Sequence, residues 1–181
     1  MSRSTSKRRS APSAPGSRRE PVFFTDRDLA KKFPQGLREA GFEVENYFDH
    51  FPGDDRIPDV EWIRRAGEQG FILLTKDDAI RRDEEAISAV MDARAVLVIL
   101  RHAGTSFELT EMFLATVARV ERLVRRARKR REGVIAAIRR RMARRGRQEF
   151  VLETWRWGSE WARLGRRLRS GPPATADTRA P

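Results

Sequence analysis

The chain has no cysteine in its 181 residues, which removes disulfides, thiolate metal ligands and cysteine nucleophiles together and fits a cytoplasmic protein. Histidine is almost as scarce: only His50 and His102 occur. A centre of two histidines and a carboxylate would need both at one point, and nothing in their spacing brings them there. His50 reads as a loop residue that packs or hydrogen-bonds, and a serine triad has no support. No apolar stretch approaches the ~18 residues that a membrane span needs, so no membrane role is expected. The Gly-rich phosphate loops GxGxxG and GxxxxGK followed by Ser or Thr are both missing. Residues 1–19 lack acids entirely. They are Arg/Ser-rich without an apolar h-region, so they do not read as a secretory signal. They share the composition of a transit peptide, but a disordered basic arm is the preferred reading.

Charge is present in excess but unevenly. The formal net charge is +12, divided as +6 over residues 1–19, −8 over 20–121 and +14 over 122–181. The globular candidate is therefore acidic and its flanks are basic. Such asymmetry favours an anionic partner held near an acidic site. Basic tails that only keep the protein soluble are the plainer alternative.

Two short apolar runs end in aspartates. Val22-Phe23-Phe24-Thr25 leads into Asp26-Arg27-Asp28, and Phe71-Ile72-Leu73-Leu74-Thr75 leads into Lys76-Asp77-Asp78. Such runs read as buried strands of a parallel sheet, and in open α/β sheets the working site lies beyond the carboxyl ends of the strands. Between and after them, Leu29–Ala40 has helical spacing interrupted by Pro34, and Gly41 stops it. Phe42–Tyr47 alternates like a strand. Residues 51–58 form a loop, and Pro58-Asp59 opens a helix that buries Trp62, Ile63 and Ala66. A short helix is expected over Ala79–Met91 and a buried strand over Ala95–Leu100. Thr105-x-x-Glu108 is a capping box that starts one long helix with Phe107, Met112, Phe113, Val117, Val120 and Val124 inside it. The order βαβαβαβα argues for a parallel sheet flanked by helices. Farther on, Val134–Ile138 and Glu149–Glu153 read either as a hairpin or as parts of a basic helix and a strand. Trp157, Trp161, Leu164 and Leu168 fall on one helical stripe, expected to dock on the domain.

The strand-end acids carry the chemistry. Two carboxylates about 4 Å apart repel by roughly 4 kcal/mol at an effective dielectric near 20, and a divalent cation is the usual remedy. Mg2+ and Mn2+ take oxygen ligands and keep several waters, so two or three carboxylates suffice. Asp26, Asp28, Asp59, Asp77 and Asp78 are the candidate metal ligands, and Asp26 and Asp77 stand first. Each also has a plainer reading as a helix cap or turn residue, and Asp59 is evenly divided between the two. Lys76, Arg81 and Arg82 are candidate substrate-phosphate contacts, or a solvated basic face.

The segments VFFTDRDLAKKFPQGLREAGFEV and IPDVEWIRRAGEQGFILLTKDDAIRR, followed by the AVLVIL strand and its helix, resemble a PIN-like nuclease domain of the group allied to VapC-type toxin ribonucleases. The likeness covers about residues 21–121. It implies a three-layer α/β/α sandwich around a mainly parallel sheet, with an acidic pocket that binds Mg2+ or Mn2+ and cuts RNA phosphodiesters. It places Asp26, Asp59 and Asp77 in the catalytic set, settles Asp59 in favour of the site, and offers Glu39 as a further acid on the first long helix. The expected division is a basic arm at 1–19, a PIN-like domain at 20–131, a basic C-terminal extension at 132–170 and a disordered tail at 171–181. RNA, an antitoxin protein and a second copy of the chain are the partners it admits.

Two other functions compete. Thr25-Asp26-Arg27-Asp28 resembles the DxD of a haloacid-dehalogenase-like phosphatase, but Ala30 stands where that motif carries a hydroxyl. A non-catalytic RNA- or partner-binding protein, using its basic extension, is the alternative from a different class.

Overall fold

The structure, a computed structural model, describes residues 20–53, 57–102, 104–143 and 147–169, with side chains described as far as Leu164. The expected basic arm, the C-terminal tail and the side chain of Leu168 lie outside the described residues, as do residues 54–56 of the expected loop.

A six-stranded sheet organises the chain, in the order β2-β1-β3-β4-β5-β6. Its strands are β1 (Phe23–Thr25), β2 (Val44–Asn46), β3 (Ile72–Thr75), β4 (Val96–Arg101), β5 (Val134–Met142) and β6 (Gln148–Trp157). The first five run parallel and β6 returns antiparallel to β5. Side chains alternate across a strand, and here both faces are apolar. Phe23, Ile72, Leu74, Val96, Val98, Val134, Ala136 and Ile138 face one layer, with α1 (Lys32–Glu39), α5 (Ser106–Leu114) and α6 (Val117–Arg130). Phe24, Leu73, Leu97, Ile99, Ile135 and Ala137 face the other, with α3 (Asp59–Glu68) and α4 (Glu84–Asp92). Phe23 meets Phe113 edge-on at 5.1 Å, and Phe24 stacks on Trp62 at 5.7 Å, so adjacent residues of β1 anchor opposite layers. The alternation of elements predicts such a parallel sheet flanked by helices, and the family resemblance implies this three-layer α/β/α sandwich.

Local chemistry explains most boundaries. Pro34 falls in the first turn of α1, where its missing N–H costs no intrahelical bond. Gly41, at φ +92°, closes α1 with N–H bonds from Gly41 to Arg38 O and from Phe42 to Leu37 O, the paired bonds of a left-handed helix end. Thr105 and Glu108 form the expected capping box.

Four expectations change. The helix after β4 is two helices, because Thr116 is fully buried and its Oγ1 donates to the carbonyl region of Met112 and Phe113 (2.9 and 3.0 Å), ending α5 before α6 begins. Phe107, expected inside, is 70% exposed. The segment 79–91 divides at Asp83, whose carboxylate accepts the N–H groups of Glu85 and Ala86 and so caps α4 after a 3₁₀ turn over Ala79–Arg82. β2 ends at Asn46, which caps the single turn α2 (Tyr47–His50).

The hairpin reading of the C-terminal segment holds, and the sheet continues straight across residue 131. β5 pairs with β4 over all six residues Val96–Arg101, and its Val134–Ile138 are buried. Trp157 closes β6, and α7 (Gly158–Arg169) begins one residue later. Trp161 packs against the α3/α4 side of the core, while Leu164 is 40% exposed.

Candidate functional site

Strand order locates the site. With β2 and β3 on either side of β1, the connections leaving β1 and β3 diverge to opposite faces, and the carboxyl ends of those two strands form the switch point where open α/β sheets place their ligand crevice. The register then sets which residues meet there. Thr25 is opposite Leu74, and Asp26 N–H continues the ladder to Leu74 O at 2.9 Å. Asp26 therefore comes beside Thr75.

Thr75 is the hub. Its Oγ1 lies 2.8 Å from Asp26 Oδ2 and 3.3 Å from Asp28 Oδ2, and it accepts Asp77 N–H at 3.0 Å. A hydroxyl has one proton to donate, so the two aspartates share a donor that fully satisfies only one at a time. Asp26 Oδ1 also accepts Arg27 N–H at 2.6 Å, and Asp28 Oδ2 accepts Lys76 N–H at 3.0 Å. Asp28 Oδ1 is buried and has no hydrogen-bond partner among the described residues. Burying a carboxylate oxygen is costly unless a donor or a cation meets it.

The electrostatics agree. Burial, then the neighbouring Asp28 and more weakly Asp59, push the Asp26 carboxyl up to about 7 against the hydrogen bonds from Thr75 and Arg27. Asp28 is also raised, first by burial and then by Asp77, with Lys76 and Thr75 opposing. Two acids whose ionised forms are both disfavoured make a pocket that gains from a cation.

The remaining acids are arranged around this pair. Asp59, at the start of α3, has its Oδ1 held by Arg27 Nη2 at 3.1 Å and by Trp62 Nε1 at 3.0 Å. The same guanidinium reaches Ile57 O at 2.7 Å and Tyr47 Oη at 3.2 Å, tying the start of α3 to β1. Asp77 is half-buried, and its Oδ1 accepts Ala79 N–H at 2.7 Å. Asp78 is engaged by arginines: Arg81 pairs with its Oδ2, and Arg101 Nε is 3.1 Å from its Oδ1. Of the expected phosphate contacts, Lys76 and Arg82 are exposed and Arg81 is engaged with Asp78. Glu39 sits at the far end of α1, bonded to Gln35 at 2.8 Å, because the helix joining the parallel strands β1 and β2 carries its C-terminus back toward the amino ends of the strands, away from the strand-end acids. His50 pairs with Glu45 and packs on Phe24. Thr75 and Arg27 are functional candidates that sequence reasoning missed. Threonine at the end of both β1 and β3, each just before the acids, was the available signal.

Among the described residues, no three acidic or imidazole side chains close on one point as a complete metal shell. Magnesium does not require one, since it binds through one or two carboxylates and completes its sphere with water and substrate phosphate. Asp26 and Asp28 are suited to that part.

The amino-acid sequence matches known proteins over this same region. Residues 21–102 match the family described as PIN like domain. A curated Mycobacterium tuberculosis protein, "Putative ribonuclease VapC45", is 33% identical over 108 residues, which span 57% of this chain and 78% of that protein. The chain belongs to the PIN-like domain family. No solved structure matches it. The PIN-like match takes in β1 to β4 and thus Asp26, Asp28, Asp59, Thr75, Asp77 and Asp78, whereas β5, β6 and α7 lie beyond it.

Proposed function

We propose that this chain is a Mg2+- or Mn2+-dependent endoribonuclease of the VapC type, acting as the cytoplasmic toxin of a toxin–antitoxin pair. The observation that carries the reading is the Asp26–Thr75–Asp28 cluster, with one buried carboxylate oxygen unpaired, at the crevice of a PIN-like sheet. The name of the curated relative supports RNA as the substrate.

In this reading Asp26 and Asp28 hold the dication, which when present supplies an acidified water and neutralises charge on a phosphate oxygen. Asp59 and Asp77 complete the acidic rim, and Asp78 is reassigned to fixing Arg81 and Arg101. Arg27 orients Asp59, and Thr75 keeps Asp26 and Asp28 in register. Domain limits follow the sheet: we place 20–157 in one unit, with α7 packed on it. Among the described residues no helix is long and apolar enough to cross a membrane.

The test is RNA cleavage by the full chain with Mn2+ or Mg2+, with chelator, and with D77N alongside. Cleavage that is lost in chelator, restored by metal and weakened in D77N is expected. T75V should lose about 10- to 100-fold, as removal of groups that orient metal ligands does, and T75S should recover most of it. Equal cleavage with and without chelator, or full activity in D77N, would sink the mechanism.

The non-catalytic reading is favoured by the arginine-rich β5–β6 hairpin, with seven arginines against two glutamates over residues 134–157. Deleting residues 122–181 cannot discriminate, since it removes the buried Val134, Ala136 and Ile138 from the sheet. Metal-dependent turnover is the discriminating observation.

A further inference from the structure

Beyond the PIN-like match, β6 and α7 carry three of the four tryptophans in the chain, and two of these are tied together by a single arginine. The Arg156 guanidinium lies 4.3 Å from the centre of the Trp155 ring and 5.3 Å from that of Trp161. Arg81, the residue paired with Asp78 at the rim of the acidic crevice, lies 5.8 Å over the other end of this chain of contacts, on Trp155. The linkage Asp78–Arg81–Trp155–Arg156–Trp161 thus leads from the carboxylates to the open edge strand of the sheet.

Its charge is uncompensated. Arg139 and Arg141 of the neighbouring strand are matched by Glu153 and Glu149, but Arg156 has no carboxylate partner among the described residues, and its Nε is buried without a hydrogen bond. Trp155, Arg156 and Trp161 are all half-buried, so each still presents surface. Both indoles are steadied by packing against the α3/α4 side of the core while part of each remains at the surface. Here a cation stands between two ring faces, and the ligand that suits both is an anion with a flat ring.

We propose that Trp155, Arg156 and Trp161 form a nucleotide-binding shelf for single-stranded RNA, with an indole stacking on a base and Arg156 holding the adjoining phosphate. The shelf rests on the ribonuclease reading for its role. It positions the strand running away from the scissile phosphate, while Arg81 links the shelf to the acidic crevice. Aromatic stacking of this kind accepts any base and is strongly salt-dependent through its phosphate contacts, so the shelf supplies grip more than sequence choice.

The test measures binding by the full chain, in chelator, of a short fluorescent single-stranded RNA and of the abasic ribose-phosphate strand of equal length. Wild type is expected to hold the base-bearing strand about tenfold more tightly. W155A should erase that preference and W155F should keep most of it, while R156Q should weaken both strands and flatten the salt dependence. Photocrosslinking of 4-thiouridine RNA to wild type, which requires no variant to fold, should map to Trp155 or Trp161. Equal affinity for the abasic strand, or crosslinks confined to other segments, overturns the shelf and leaves a merely electrostatic surface suited to an acidic protein. A base-dependent Trp155 contact in a chain that never cleaves RNA would retain the shelf and defeat the ribonuclease reading. Metal-dependent cleavage without any base preference would do the reverse.

Discussion

D26N is expected to lose two to three orders of magnitude in metal-dependent RNA cleavage and yet to melt at a higher temperature than wild type at pH 8. A loss of about that size is usual when one preorganised charge-stabilising group is removed from a reaction centre. Asp26 is 4% exposed, and it is the acid joined to Thr75 by the shorter bond. The stability gain comes from the same burial. An aspartate whose carboxyl is pushed up to about 7 pays to ionise, and an amide of the same shape does not. The gain is bounded by roughly 4 kcal/mol, from about 1.4 kcal/mol for each unit of displacement, and Asp28 will absorb part of it. Activity and stability should therefore move in opposite directions, which a simply misfolded variant cannot reproduce. Turnover with Mn2+ and a thermal melt on the same preparation check both halves.

The metal-free protein should become less stable as pH rises from 5 to 8. Between the ordinary carboxyl value of 3.8 and the raised value of about 7, the folded chain keeps a proton on Asp26 that the unfolded chain has already lost. The folded state then binds more protons, so unfolding free energy falls with pH. The contribution is complete below about pH 4, declines through the interval, and is gone above about pH 7. Across pH 5 to 8 this amounts to about 2–3 kcal/mol at most, and the upward displacement of Asp28 acts in the same sense. A dication competes with that proton, so Mg2+ or Mn2+ should raise the melting temperature strongly at pH 8 and little at pH 5. Denaturant titrations at the two pH values, with metal and with chelator, measure the slope. A stability that rises with pH in chelator would contradict the assignment of Asp26.

What could be read from the sequence depended on how far apart the cause and its effect lie along the chain. The apolar runs before Asp26 and Asp77, the turn at Gly41 and the capping box at Thr105 are local, and each appears where expected. Strand order is not local. The sequence leaves open whether β1 and β3 are neighbours; their pairing in the sheet brings the two aspartate endings together, and the register beside Leu74 puts Thr75 between Asp26 and Asp28. Thr75 went unnoticed because a threonine at a strand end is also an ordinary β-former. Arg27 was missed because its purpose depends on Asp59, 32 positions away. The sequence ranks Asp78 below Asp77, but the reason is visible only in the fold, where β4 brings Arg101 beside Asp78. The break at Thr116 was hidden because a β-branched residue within an apolar stripe reads as core, which it is, while its hydroxyl ends the helix. The segment Val134–Ile138 has no period that distinguishes strand from buried helix, so only its pairing with β4 decides it.

The most direct measurement is a calorimetric titration of Mn2+ into wild type and D26N at pH 6.5, where Asp26 of the folded chain still mostly carries its proton. Saturable binding to wild type with release of protons is predicted, together with at least tenfold weaker binding to D26N. Equal affinity in the two proteins, or binding to wild type without proton release, would contradict the assignment of Asp26 and Asp28 as the metal-holding pair.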